Sequence, residues 1–125
     1  MHVISVVDDD ASVLSATVDL LDAVGLPCEA FPSAEAYLAS DRVRSTSCLI
    51  LDVSMPGLNG VELQRRLLHA GHFIPTIFIT AFPEERIQQR LLAAGAAGFL
   101  IKPFDGQTMI ECLNAALGEA SGNRI

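Results

Sequence analysis

A chain of 125 residues and 13.3 kDa has room for one domain with one core. Half of its residues are hydrophobic, 18% are charged and the mean hydropathy is +0.41, which excludes intrinsic disorder. Fifteen acids against eight bases give a formal net charge of -7, which argues against a nucleic-acid-binding face; seven of the bases are Arg, and Lys102 is the one lysine.

Along the chain, short apolar runs alternate with segments of helical periodicity. His2 to Val7 reads as the first strand, and the stripe Val13, Thr17, Leu21 and Val24, with Leu14 and Val18 beside it, predicts a helix ending at Gly25. Pro27 to Phe31 is the second strand, and Ser33 caps a short helix through about Ser40. Cys48 to Leu51 is the third strand; Asn59 with Glu62 then has a capping-box pattern ahead of Leu63 and Leu67. Pro75 to Thr80 is the fourth strand, followed by a helix with Glu84 and Glu85 in its first turn, Ile87, Leu91 and Ala94 along it, and Gly95 at its end. Gly98 to Ile101 is the fifth, and Asp105 caps a last helix that buries Ile110, Leu113 and Leu117. Residues 1–118 form the expected domain, and 119–125 a tail or the start of a linker, the polar stretch itself beginning at Gly118.

Five strand-then-helix units with short connections predict an α/β fold, a doubly wound five-stranded parallel sheet in the order 2-1-3-4-5 with five helices, flavodoxin-like. Three strands are apolar almost throughout, as strands covered on both faces should be. In such sheets the ligand site lies at the carboxyl ends of the strands, where the winding direction reverses.

Cys28, Cys48 and Cys112 are odd in number, far apart and outside any C-x-x-C pair, so they read as small buried apolar residues. No apolar run is long enough to span a membrane and the first residues lack a signal-peptide pattern, so a cytoplasmic protein is the expectation.

Four of the five strands deliver a polar residue to the carboxyl edge: Asp8-Asp9-Asp10 after the first, Asp52 after the third, Thr80 after the fourth and Lys102-Pro103 after the fifth. Clustered carboxylates repel unless a cation neutralises them, and oxygen ligands without His or Cys favour Mg2+ over zinc. A lysine and a hydroxyl nearby suit the charge of a phosphoryl group. An Asp carboxylate can accept such a group, and Asp52, alone after the central strand, is the candidate. Asp10 is read as a helix cap, His69 and His72 as partners of a helix C-terminus, and the Arg65-Arg66 and Arg86/Arg90 pairs as solvated helix faces.

Asp8-Asp9, Asp52-Val53-Ser54-Met55-Pro56, Thr80-Ala81 and Lys102-Pro103-Phe104, in that order and each at a strand end, resemble the receiver domain of bacterial two-component response regulators, over residues 3 to about 117. The short loops and the Lys-Pro-Phe end are similar to the FixJ/NarL group. The resemblance implies that Asp52 accepts a phosphoryl group from a sensor histidine kinase or an acyl phosphate. It implies that Asp9 binds Mg2+ directly and Asp8 through water, with Asp52 and the main-chain carbonyl of Ser54 as further ligands. Lys102, through a cis bond to Pro103, would pair with the phosphoryl oxygens; Thr80 would donate its hydroxyl; Phe99 would be the switch aromatic, and Ala81 the small neighbour that leaves room. The face of the fourth helix, fifth strand and fifth helix would then change, to dimerise or to release an output element. In that group the output is a DNA-binding helix-turn-helix, which these residues do not contain, so a single-domain regulator and an excised amino-terminal piece both stay open. Ser54 replaces a longer polar or basic side chain, Phe99 a frequent Tyr, and Phe82-Pro83 stiffens the following loop. On this reading the chain is not an enzyme beyond assisting its own phosphotransfer and autodephosphorylation. The alternatives are a Mg2+-dependent phosphatase, for which D-x-D and a cap domain are lacking, and an interaction module that is never phosphorylated, which would have lost one of the key residues.

Overall fold

The computed structural model describes the backbone of residues 3–121 and the side chains of 3–118. Five parallel strands, β1 (Ile4–Val7), β2 (Cys28–Phe31), β3 (Cys48–Asp52), β4 (Thr76–Thr80) and β5 (Gly98–Ile101), alternate with α1 (Ala11–Ala23), α2 (Ala34–Ala39), α3 (Gly60–His69), α4 (Glu85–Ala93) and α5 (Gly106–Ser121). The sheet order is β2-β1-β3-β4-β5, the order expected. Each predicted strand is present within a residue or two of its expected bounds. His2 lies outside the described residues, as do 122–125 of the predicted tail. The helix itself continues to Ser121, past Gly118, because a single glycine with nothing packed against its Cα does not end a run of helix formers such as Ala115, Ala116 and Leu117.

Side chains of β1, β3 and β4 point alternately to the two faces, and every residue of the three strands is buried. Ile4, Val6, Ile50, Ile77 and Ile79 meet Leu21 of α1 and Met109, Leu113 and Leu117 of α5. Val7, Leu49, Leu51 and Phe78 meet Tyr37, Leu63, Leu67 and Leu91 from α2, α3 and α4. Truncating any one of these leucines to Ala costs about 2–5 kcal/mol. On α1 the last member of the predicted stripe, Val24, is 48% exposed. It is the residue after the helix, with φ -104° and ψ 9°, so the backbone turns it away from the sheet. Cys48 is buried, and burial together with neighbouring Cys112 pushes its thiol up to about 12; Cys28 and Cys112 are only half-buried, short of the full burial expected of them.

The helix starts follow local chemistry. Asp10 accepts the amides of Ser12 and Val13 at 2.9 and 3.3 Å, Ser33 that of Ala36 at 3.0 Å, Asn59 that of Glu62 at 2.9 Å, and Asp105 that of Thr108 at 3.3 Å. Glu62 does not complete the expected box; its carboxylate instead binds Arg65, 2.7 Å away, on the exposed face of α3. At the other end of α1, Gly25 takes φ 76° and the Leu26 amide reaches back to the Leu21 carbonyl at 3.0 Å. The same closure ends α3, from His72 to Leu67, and α4, from Ala96 to Leu91.

A short 3-10 turn, Val43–Ser45, joins α2 to β3. Below it the hydroxyls of Ser5, Thr46 and Tyr37 form a buried chain, Ser5 to Thr46 at 2.8 Å and Tyr37 to Thr46 at 2.9 Å, and Thr46 donates to the Arg42 carbonyl at 2.7 Å. This chain ties α2 and the turn to β1, the first strand of the site.

Candidate functional site

Register brings the polar strand ends together. Val7 pairs with Leu51, so Asp8 emerges beside Asp52; Asp52 pairs with Ile79, and Thr80 with Ile101, so Thr80 and Lys102 leave the same edge one step further on. Asp8 is fully buried and Asp52 is 3% exposed, whereas Asp9 is exposed.

Carboxylate oxygens of Asp8, Asp9 and Asp52 lie within 4.8 Å of one another. Asp8 Oδ1 accepts the Asp10 amide at 2.9 Å. Its Oδ2 lies 2.8 Å from Lys102 Nζ as an ion pair, yet no aligned hydrogen bond reaches this buried atom. Asp52 Oδ1 accepts the Ser54 amide at 3.2 Å, and Oδ2 accepts from Lys102 Nζ at 3.3 Å. One ammonium therefore serves two buried carboxylates. Burial pushes the Asp52 carboxyl up to about 6, Asp8 pushes the same way, and Lys102 and the Ser54 amide only partly offset them. For Lys102, burial acts to lower the value, but Asp8 and Asp52 together outweigh it and the ammonium is held above its usual range.

Three converging carboxylates against one ammonium fit a hard divalent cation; the set contains no nitrogen or sulfur ligand, which fits Mg2+ rather than zinc.

Thr80 is 1% exposed, and its Oγ1 accepts the Phe82 amide at 3.0 Å, so its hydroxyl is engaged with its own loop. The Lys102–Pro103 bond is cis, and the Lys102 amide donates to the Thr80 carbonyl at 2.8 Å. Phe99 does not join the carboxylates; it is half-buried beside the core of α2, α3 and α4, paired in register with Phe78. Ser54 and Ala81 are exposed at the mouth. Asp10 caps α1, as expected.

Two residues that support the site were not singled out from sequence. Gly60, the first residue of α3, packs against the carbonyl of Asp52; a Cβ there would fall 2.2 Å from that oxygen. A glycine inside a helical pattern was the available signal, since it weakens the helix unless backbone must approach closely. Glu35 of α2 accepts the Leu58 amide at 3.0 Å across 23 residues, and no local pattern announces such a contact.

Beside this geometry stand the relationships to known proteins. The family model "Response regulator receiver domain" matches residues 4–114. The response regulator protein TodT of Pseudomonas putida is 38% identical over 122 residues, which is 98% of this chain and 54% of TodT. The transcriptional regulatory protein TdiR of Thauera aromatica is 36% identical over 112 residues, 90% of this chain and 49% of TdiR. The crystal structure of FixJ-N superposes with a TM-score of 0.83 at 31% identity, covering 94% of each chain. The chain spans about half the length of the curated relatives it matches. No helix among the described residues is long and apolar enough to cross a membrane. With its strand order, its acidic edge and these matches taken together, the chain belongs to the response regulator receiver domain family.

Proposed function

We propose that this domain is a phosphorylation-controlled switch in two-component signalling, with Asp52 the acceptor of a phosphoryl group from a sensor histidine kinase. The observation that carries this reading is the setting of Asp52: a nearly buried carboxylate at the edge of the central strand, with one oxygen on the Ser54 amide and the other on Lys102. An oxygen of ionised Asp52 attacks phosphorus; the new O–P bond forms as the bond from phosphorus to the donor's nitrogen or oxygen breaks, and the electron pair leaves with the donor. Asp8, Asp9, Asp52 and the Ser54 carbonyl are the residues to hold Mg2+, which when bound supplies positive charge for the phosphoryl oxygens.

Lys102 turns from the carboxylates toward the incoming phosphoryl oxygens. Thr80 keeps the Phe82 amide as its donor and donates a hydrogen bond from its own hydroxyl to a phosphoryl oxygen, which pulls the loop after β4 inward. Phe99 repacks behind Thr80, and the face of α4, β5 and α5 changes. Phe82, Leu92 and Ile101 are exposed on or beside that face, which suits a surface that dimerises or holds an output element. Transcription regulation, through a DNA-binding domain outside these residues, accords with the relatives named as transcriptional regulators and with their greater length. The same reading assigns residues 1–118 to the receiver, a cytoplasmic setting, and no turnover beyond the domain's own phosphotransfer and autodephosphorylation.

Incubation with acetyl phosphate and Mg2+ followed by intact mass is the test. One phosphoryl adduct is expected, absent in Asp52→Asn and absent when Mg2+ is chelated. An unmodified wild type, or steady hydrolysis of an external phosphomonoester, would overturn the proposal.

A further inference from the structure

The loop that leaves Asp52 is fixed at both ends by main-chain bonds. The Val53 amide donates to the Ile79 carbonyl at 2.9 Å, and the Gly60 amide donates to the Val53 carbonyl at 3.0 Å. Its middle, Pro56-Gly57-Leu58, is held from another element. Glu35, in the first turn of α2, accepts the Leu58 amide through Oε2 at 3.0 Å. Gly57 has φ +74°, and a Cβ there would fall 2.8 Å from the same Oε2, so the turn is shaped to let the carboxylate close over it. The Leu58 amide, then the backbone amide of Glu35 itself, hold the Glu35 carboxyl below its ordinary range against a small opposing effect of burial, and the charge of Arg66 adds to them. A charged acceptor on a main-chain amide is among the stronger hydrogen bonds, and it carries direction as well as attraction.

We infer that Glu35 is a positioning residue for the phosphoacceptor loop, its carboxylate holding the Leu58 amide so that Asp52 and Ser54 are presented to the cation and the phosphoryl group in one preset arrangement. The inference rests on the proposed role of Asp52 and extends it to a side chain in a different helix. The loop between Asp52 and Gly60 contains Ser54, whose main-chain carbonyl is a proposed ligand. A loop already ordered before the cation arrives does not have to be ordered by it, so affinity is gained without any new contact. Residues that orient ligands in this indirect way commonly change metal affinity by an order of magnitude or more when removed. The exposed position of Glu35 sets the expected effect lower, at roughly threefold to tenfold.

The full chain and three variants test this. Glu35→Ala removes the acceptor, Glu35→Gln keeps an acceptor of the same reach without charge, and Glu35→Asp keeps the charge but shortens the reach by one methylene. Three readouts are taken: amide exchange at Leu58 and Ser54, calorimetric titration with Mg2+ alone, and the rate of adduct formation from acetyl phosphate at low and at saturating Mg2+. Glu35→Ala and Glu35→Asp are expected to exchange faster at Leu58, to bind Mg2+ roughly threefold to tenfold more weakly, and to recover their rate at saturating Mg2+. Glu35→Gln is expected to fall between wild type and Glu35→Ala, because it keeps the acceptor and its reach but loses the charge assistance. A folded Glu35→Ala chain with wild-type Mg2+ affinity overturns the inference and leaves the Asp52 reading standing. Weak binding by Glu35→Gln beside normal binding by Glu35→Asp overturns it too, because charge at a distance would then be the cause. A wild type that takes neither Mg2+ nor the phosphoryl group overturns the Asp52 reading, and this inference with it.

Discussion

Lys102 Nζ lies closer to Asp8 than to Asp52, at 2.8 Å against 3.3 Å, although Asp52 is the residue on which the chemistry is proposed to occur. Both carboxylates are almost wholly buried, Asp8 at 0% and Asp52 at 3% exposed, so a single ammonium is shared between two charges that water scarcely screens.

Removing that ammonium leaves two buried carboxylates facing each other. Lys102→Met is expected to lower the unfolding free energy of the metal-free domain by about 2–3 kcal/mol at neutral pH. Excess Mg2+ should recover most of the loss, because a cation at the same edge takes over the neutralisation. Urea unfolding with and without Mg2+ checks both halves; a variant as stable as wild type without metal would show that the carboxylates are not in conflict.

The pH dependence follows from Asp52. Its folded value, about 6, stands above the ordinary 3.8, so the native state holds this proton more tightly than the unfolded chain does. The stabilisation from that proton is complete below the unfolded value and is lost as pH rises through about 6. Without metal, Asp52→Asn should therefore be more stable than wild type by on the order of 1–2 kcal/mol at pH 7.5, and no more stable near pH 3.5. The difference between the two unfolding curves isolates this group from the other carboxylates.

Much of this was legible from residue order. Strands buried on both faces announce themselves as unbroken Val-Ile-Leu runs, and each capping residue acts within three residues of its own position, as Asp10, Ser33, Asn59 and Asp105 do. The convergence of the candidate residues was legible too, since a parallel sheet sends every strand end to one edge. What escaped depends on distance across the fold. The bond from Glu35 to Leu58, the packing of Gly60 on the Asp52 carbonyl and the Ser5-Thr46-Tyr37 hydroxyl chain each join segments whose relation exists only after the helices have docked. Val24 was misjudged because periodicity continues one residue beyond the last helical φ and ψ.

The Thr80 hydroxyl offers a sharper local test. Its acceptance of the Phe82 amide is expected to contribute about 1 kcal/mol. Thr80→Ala should speed amide exchange at Phe82 while leaving the mass adduct on Asp52 in place, whereas Thr80→Ser should keep the protection. Adduct formation without any structural change at α4 and β5 in Thr80→Ala would mark Thr80 as the coupling between the two.

Tyr37 supplies the contrast. Tyr37→Phe removes one member of the buried hydroxyl chain but leaves Thr46 bonded to Ser5 and to the Arg42 carbonyl. Thermal unfolding should show a loss of about 1 kcal/mol, with phosphorylation by acetyl phosphate unchanged. A change in phosphorylation rate would mean that the position of β1 is tuned through α2.

The closures at Gly25, Gly71 and Gly95 divide the molecule's tolerance of change. All three lie at the amino-terminal ends of the strands, where the returning helices finish, and each satisfies carbonyls that would otherwise be orphaned. That end behaves as a foundation, where an altered residue is felt as lost stability. The opposite end carries Ser54, Ala81 and Phe82, whose side chains are exposed although the loops that bear them are anchored by main-chain bonds. On the proposed reading, a change confined to one of these three side chains can alter what the site's mouth meets while the closures at the other end, and the scaffold they hold, stay as they are.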